Sequence, residues 1–132
     1  MNLFLIVVFV LIGLFISFQV FMFIKSKKSV GNPIPFDKLD DHFAEKIKNK
    51  KSVLYFHSPT CHNCKTQTPI IESLKKEFDS IFSIDISEKL EIARTFNVMG
   101  TPSLLFLGNN KIEGFYVGVK DERFIREKLQ TL

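Results

Sequence analysis

SVLYFHSPTCHNCKTQTPII, Ser52 to Ile71, decides how this chain folds. Its first six residues, Ser52–His57, are β-branched, aromatic or apolar without clear alternation, as in a strand buried on both faces. Ser58-Pro59-Thr60 breaks that run. From about Cys61 an apolar spacing of three and four residues sets in and predicts a helix to Phe78, with Ile70, Ile71, Leu74 and Phe78 inward. Pro69 falls inside the pattern and should kink it. Cys61 and Cys64, the only two cysteines among 132 residues, open that helix directly after the strand.

Working outward, the elements alternate. Upstream, Asp37 is placed to cap a helix whose apolar stripe is Leu39, Phe43 and Ile47. Downstream, Ile81–Ile86 reads as a second strand, and Ser87 as the cap of a short helix carrying Leu90, Ile92, Ala93 and Phe96. SLLFL, from Ser103, is a third strand. Gly108-Asn109-Asn110 is a hairpin turn, because Gly and Asn accept positive φ, and Lys111–Val117 returns as a fourth strand. Asp121 opens a last helix with Phe124, Ile125, Leu129 and Leu132 on its apolar side. The order α-β-α-β-α-β-β-α predicts an α/β domain with a mixed central sheet sandwiched by helices.

Three chemistries fit two cysteines three residues apart. A redox dithiol is one: the first sulfur sits where unpaired N–H groups and the positive helix end favour a thiolate, and the second sits one turn deeper, within reach of a mixed disulfide. A zinc or copper site is another, but zinc takes about four ligands. His57, His62 and the more distant His42 are the only imidazoles available, and His62, between the cysteines, is poorly placed to close the same tetrahedron. A structural staple is the third, closing a very small loop where loop-closure stabilisation is least.

The front of the chain is different in kind. Leu3 to Ile24 contains no charged residue, and 22 helical residues at about 1.5 Å each span the ~30 Å hydrocarbon layer. A signal peptide has a shorter apolar region behind a basic start; nothing basic precedes this run and no small-x-small site follows it, so a retained membrane helix fits better. Residues 1–24 are therefore read as a transmembrane helix, 25–35 as a basic juxtamembrane linker rich in Gly, Asn and Pro, and 36–132 as the folded domain. Of the formal charge of +4, Lys25, Lys27 and Lys28 account for three, leaving +1 beyond them. Lys46, Lys48, Lys50 and Lys51 form a small cluster at a helix end. A nucleic-acid surface needs more basic residues with exposed aromatics between them, so no nucleic-acid partner is expected.

From about Ile34 to Leu132 the chain resembles thioredoxin. The resemblance is carried by the strand–CxxC–helix of VLYFHSPTCHNCK, by Pro69 five residues after Cys64, by the Thr-Pro pair of GTPSLLFL, and by Val117-Gly118 between the last strand and the last helix. It implies a thioredoxin-like fold and a protein-disulfide reductase or thiol–disulfide oxidoreductase, with Cys61 as nucleophile and Cys64 as resolving thiol. It implies that Pro102 follows a cis peptide bond and that Thr101 offers backbone groups to an extended substrate. It implies protein disulfides as substrates and an electron donor such as a reductase, with no cofactor and no metal.

The departures from the family pattern bear on tuning. A buried carboxylate usually stands six residues before the first cysteine; here it is Tyr55. Its usual lysine partner is replaced by Ile81. The tryptophans usual shortly before that cysteine and directly before it are replaced by His57 and Thr60, and the dipeptide is His62-Asn63 instead of Gly-Pro. The proton leaving Cys64 must then go to water or to His57. His62, Asn63 and His57 are the residues expected to tune the site. The competing function is a non-catalytic thioredoxin-like binding module or a metal carrier using the same two sulfurs.

The membrane side rests on conflicting signals. Tethered domains of this type often work where substrates contain disulfides, outside the cytoplasm. Lys25, Lys27 and Lys28 directly after the apolar helix favour a cytoplasmic domain, although the α-amino group of Met1 adds positive charge at the other end. The expectation is a single-pass protein of the cell membrane with its domain towards the cytoplasm.

Overall fold

The computed structural model describes residues 2–27 and 29–132; Met1 and Lys28, which carry part of the flanking charge, lie outside the described residues. Strand β1 (Ser52–His57) is one of two inner strands. It pairs in parallel with β2 (Ile81–Asp85), Val53 opposite Ile81 and His57 opposite Asp85. On its other side it pairs antiparallel with β3 (Ser103–Gly108), which pairs antiparallel with β4 (Lys111–Val117). The order is β2-β1-β3-β4, a mixed sheet.

Side chains of a strand alternate between faces, and both faces of this sheet are covered. Leu54, Phe56, Leu105 and Leu107 face a core with Ile47, Ala93 and Phe96, contributed by and just beyond helices α2 (Asp41–Ile47) and α4 (Leu90–Thr95). Val53, Tyr55, Leu104 and Phe106 face Ile71 and Leu74 of α3 (Cys64–Lys75) and Ile125 and Leu129 of α5 (Glu122–Thr131). Two-sided burial is why β1 lacks alternation in its sequence. The expected α/β sandwich is the observed one, preceded by an apolar helix α1 (Leu3–Lys27).

Local boundaries differ from the sequence expectations in ways with physical causes. Asp40, not Asp37, caps α2, its carboxylate accepting from the Phe43 N–H at 3.0 Å. Asp37 lies in a 3-10 turn, Phe36–Lys38, and Leu39 is extended and buried between the two. α3 starts at Cys64, after a turn at His62-Asn63, and its regular run passes through Pro69 to Lys75. Ser87 caps nothing: its N–H and hydroxyl both bond to Asp85 Oδ1, at 2.9 and 2.6 Å, and Lys89 takes the cap position of α4. Leu90 is 44% exposed, because six helical residues turn only Ala93 and the following Phe96 fully inward. The β3–β4 turn holds Asn109 and Asn110 at φ of 52° and 59°, the two left-handed positions of a type I′ hairpin.

The stretch that follows α1 is not a free spacer. Gly31 N–H donates to the Ile112 carbonyl at 2.7 Å, Ile112 N–H to Asn32 at 3.0 Å, and Ile34 N–H to Asn110 at 2.9 Å, while Pro33 bridges Lys111 antiparallel. Residues 31–34 thus lie along the start of β4, and Ile34 is buried in the core.

Candidate functional site: a dithiol at the end of β1

His57 ends β1, and the chain turns through Ser58–Asn63 before entering α3. The turn is held locally: Cys61 N–H donates to the Ser58 carbonyl at 3.2 Å, and the hydroxyls of Ser58 and Thr60 lie 3.3 Å apart. Cys61 and Cys64 are joined by a disulfide, with Cα atoms 5.3 Å apart. Cys61 is half-buried, whereas Cys64 is 4% exposed beneath it.

The first turn of a helix leaves N–H groups without intrahelical partners. Here Asn63, at the cap position, makes no side-chain cap bond. The Cys64 N–H instead donates to Cys61 Sγ at 3.1 Å. The sulfur occupies the place that a serine or aspartate oxygen takes in an ordinary N-cap. A backbone donor aimed at a sulfur, at the positive end of a helix, favours negative charge there.

Pro102 follows a cis peptide bond from Thr101 and is buried. Phe56 pairs with Ser103, which sets the chain leaving β1 beside Pro102. Ser103 Oγ donates to the Gly100 carbonyl at 2.6 Å, and Gly118 N–H donates to the Pro102 carbonyl at 2.9 Å. Gly118 has φ +93°, a conformation that side-chain-bearing residues rarely adopt. The dithiol turn, Pro102 and Gly118 therefore share one end of the sheet. His62 and Asn63 are exposed on that end, Thr101 is half-buried, and His57 is half-buried with its ring stacked 5.1 Å from that of Tyr55.

Two polar groups that the sequence expectations omit complete the site's support. Gln67 is fully buried; its Nε2 donates to the Lys120 carbonyl at 3.0 Å, and its Oε1 accepts from the Lys120 N–H at 2.7 Å. This clamp ties the β4–α5 loop, and with it Gly118, to the helix that carries Cys64. Its sequence signal is the inward spacing Cys64, Gln67, Ile71, Leu74, with glutamine where apolar residues are the rule. Thr68 is the other: its hydroxyl lies 2.9 Å from the Tyr55 hydroxyl. Burial pushes the Tyr55 phenol above its ordinary pKa, partly countered by that hydrogen bond. Asp85, opposite His57 in the sheet, is held below the usual carboxylate range by the Ser87 hydroxyl and N–H, with a smaller contribution from His57. Among the described residues no group of three or more His, Cys, Asp or Glu side chains is arranged to hold a metal ion.

Comparison with known proteins agrees with this geometry. The thioredoxin family model matches residues 36–131. Thioredoxin of Bacillus subtilis is 30% identical over 91 residues, covering 67% of this chain and 88% of that protein. NADPH-dependent thioredoxin reductase 3 of Arabidopsis thaliana is 33% identical over 82 residues, 60% of this chain but 16% of the plant protein. The crystal structure of reduced Schistosoma mansoni thioredoxin pre-protein superposes with a TM-score of 0.60 at 27% identity, covering 69% of this chain and 87% of that one. The family match begins after the apolar helix. From residue 36 onward, the chain belongs to the thioredoxin family, and it is a thiol–disulfide oxidoreductase carrying a CxxC-spaced disulfide pair.

Proposed function

We propose that this protein is a membrane-tethered oxidoreductase that reduces or exchanges protein disulfides, with residues 1–24 as anchor, 25–35 as juxtamembrane segment and 36–132 as the redox domain. The observation that carries the chemistry is the asymmetry of the pair: Cys61 is half-buried and receives the Cys64 N–H, while Cys64 is buried. In the reduced protein the Cys61 thiolate attacks one sulfur of a substrate disulfide and expels the other as a thiolate. Cys64 gives up its proton to water or His57 and attacks the Cys61 sulfur. That closes Cys61–Cys64 and releases the second substrate thiol, so that two electrons have passed to the substrate. A donor of the reductase class returns them.

Thr101 and Pro102, beside the dithiol turn, are the surface for an extended substrate strand. His62 tunes the pair, since its ring, when protonated, favours a Cys61 thiolate and hence the reduced state; Asn63 and His57 complete the surroundings. Support for the anchor is α1, whose segment Leu3–Lys25 is long and apolar enough to cross a membrane, with a mean hydropathy of 2.9. Lys25 and Lys27, with Lys28, favour the cytoplasmic side for the domain. The chemical test is a pair of variants. Cys61→Ser abolishes insulin disulfide turnover, whereas Cys64→Ser accumulates a covalent protein–substrate adduct that dithiothreitol releases. Turnover retained by both variants would remove the dithiol mechanism. Alkaline phosphatase fused after Leu132 stays inactive if the domain is cytoplasmic, and strong activity reverses the side.

A further inference from the structure

The connection between α1 and the domain sets where the dithiol lies relative to the membrane. Residues 31–34 run antiparallel to β4, Ile34 beside Asn110, Pro33 beside Lys111, and Gly31 beside Ile112. Followed backwards from Gly31, the chain therefore heads along β4 towards Val117, and Val117 pairs with Ser103 next to Pro102. That is the redox end of the sheet. α1 ends at Lys27, four residue steps from Gly31, which span at most about 14 Å. From Ile112 to Val117 a strand covers about 17 Å. The helix end is thus delivered alongside the end of the sheet that bears Cys61, not the opposite end.

Packing agrees with that direction. Met22 and Phe23 of α1 line one cleft of about 310 Å³ together with Met99, Gly100 and Val117 of the domain. Met99 and Gly100 lead directly into Thr101-Pro102. Met99 is 63% and Val117 53% exposed, leaving an apolar rim next to the membrane helix. A flexible tether lets a domain wander with the square root of its length. Residues docked on β4 remove that freedom.

We propose that the Cys61–Cys64 site faces the membrane surface from which α1 emerges, and that its substrates are disulfides of membrane-attached proteins held close to that surface, a restriction set by the short tether and the strand it docks on. The inference rests on the membrane-tethered reading and specifies the substrate class for the same site. The target disulfide approaches laterally, along the bilayer, with the segment flanking its cysteine laid against the Met99–Pro102 edge. Disulfides carried far from the surface are poor substrates because the docked segment keeps the domain from turning outwards.

The test uses the pre-reduced full chain in phosphatidylcholine–phosphatidylglycerol vesicles, in single turnover without another reductant. Each chain passes two electrons from its dithiol to a peptide disulfide, giving the peptide dithiol and the closed Cys61–Cys64 bond. The peptide is lipid-anchored either directly at the surface or on a spacer of 20 prolines, roughly 60 Å long. Wild type is expected to reduce the surface peptide at least tenfold faster. Forty Gly/Ser residues inserted between Lys28 and Ser29 are expected to bring the ratio below twofold. Flotation is measured on the same preparations, and a chain that does not float removes the tethered reading along with the inference. A chain that floats and reduces both peptides equally overturns the orientation alone, as does a preference that survives the insertion.

Discussion

The two ends of the sheet are finished in opposite ways. At the far end, where β3 turns into β4, polar groups close on one another. Asn110 Nδ2 donates to Asn49 Oδ1 at 2.6 Å, the Asn49 N–H donates back to Asn110 Oδ1 at 2.7 Å, and the Ile34 N–H takes the Asn110 carbonyl. At the redox end the ties stop short of the surface. Gln67 and Gly118 secure the loops from beneath, while Cys61, Thr101, Met99 and Val117 remain accessible in whole or part. The difference teaches where rigidity is placed: both ends are fastened, but only one keeps unfinished chemistry at its rim. Changes at the far end should therefore alter stability alone, whereas changes to the Gln67 clamp that holds the loops of the redox end should alter stability and protein-substrate turnover together.

The sharpest way to break that contrast is Gln67→Leu. Leucine fills most of the glutamine volume but leaves the Lys120 N–H and carbonyl without their partner. An unsatisfied buried backbone group costs about 1–3 kcal/mol, so a loss of about 2–4 kcal/mol in urea unfolding is expected. The β4–α5 loop should loosen with it, raising KM for a protein disulfide several-fold while single-turnover reduction of a small aromatic disulfide stays close to wild type. Equal stability of mutant and wild type would mean that the clamp is ornamental.

Asn110→Ala acts at the other end. It removes the reciprocal amide pair and puts a Cβ-bearing residue without a polar side chain at φ 59°, where such residues pay roughly 1–2 kcal/mol. A stability loss of about 1–2 kcal/mol is expected with disulfide turnover unchanged. A change in turnover here, with the fold intact, would erase the distinction between the two ends.

How much of this was legible in the sequence follows the same division. The C-x-x-C at a strand-to-helix junction, the Thr-Pro pair and the inward residues of β1, α3 and α5 are carried by side-chain type and spacing, so pattern reveals them. The docking of residues 31–34 on β4 uses backbone N–H and carbonyl groups, which every residue has, and pattern is silent about it. Asp37 and Asp40 are equally good caps in isolation; burial of Leu39 between them decides for Asp40. Ser87 looks like a cap until Asp85 claims both of its donors. The spacing of Gln67 marks it as inward, but its role as a clamp is set by a backbone partner 53 residues away, which no local pattern reveals.

Tyr55 offers the finest test, because it stands where the family resemblance leads one to expect a carboxylate. A buried carboxylate at this position could accept a proton near neutral pH; a phenol whose pKa is raised by burial stays protonated there. Tyr55→Phe should therefore leave single-turnover reduction at pH 7 unchanged. Its neutral-pH cost is the hydrogen bond to Thr68, about 1 kcal/mol. The alkaline side carries a sign. A phenol with a folded pKa above its unfolded value of 10.0 contributes stability that is complete below pH 10 and is lost as pH rises through the folded value, because the unfolded chain ionises first. Wild type should thus lose urea resistance above pH 10 more steeply than Tyr55→Phe, and the two stability curves should converge. Parallel curves would show that the phenol is not held back by burial, and a slower reaction at pH 7 would restore position 55 to the proton path.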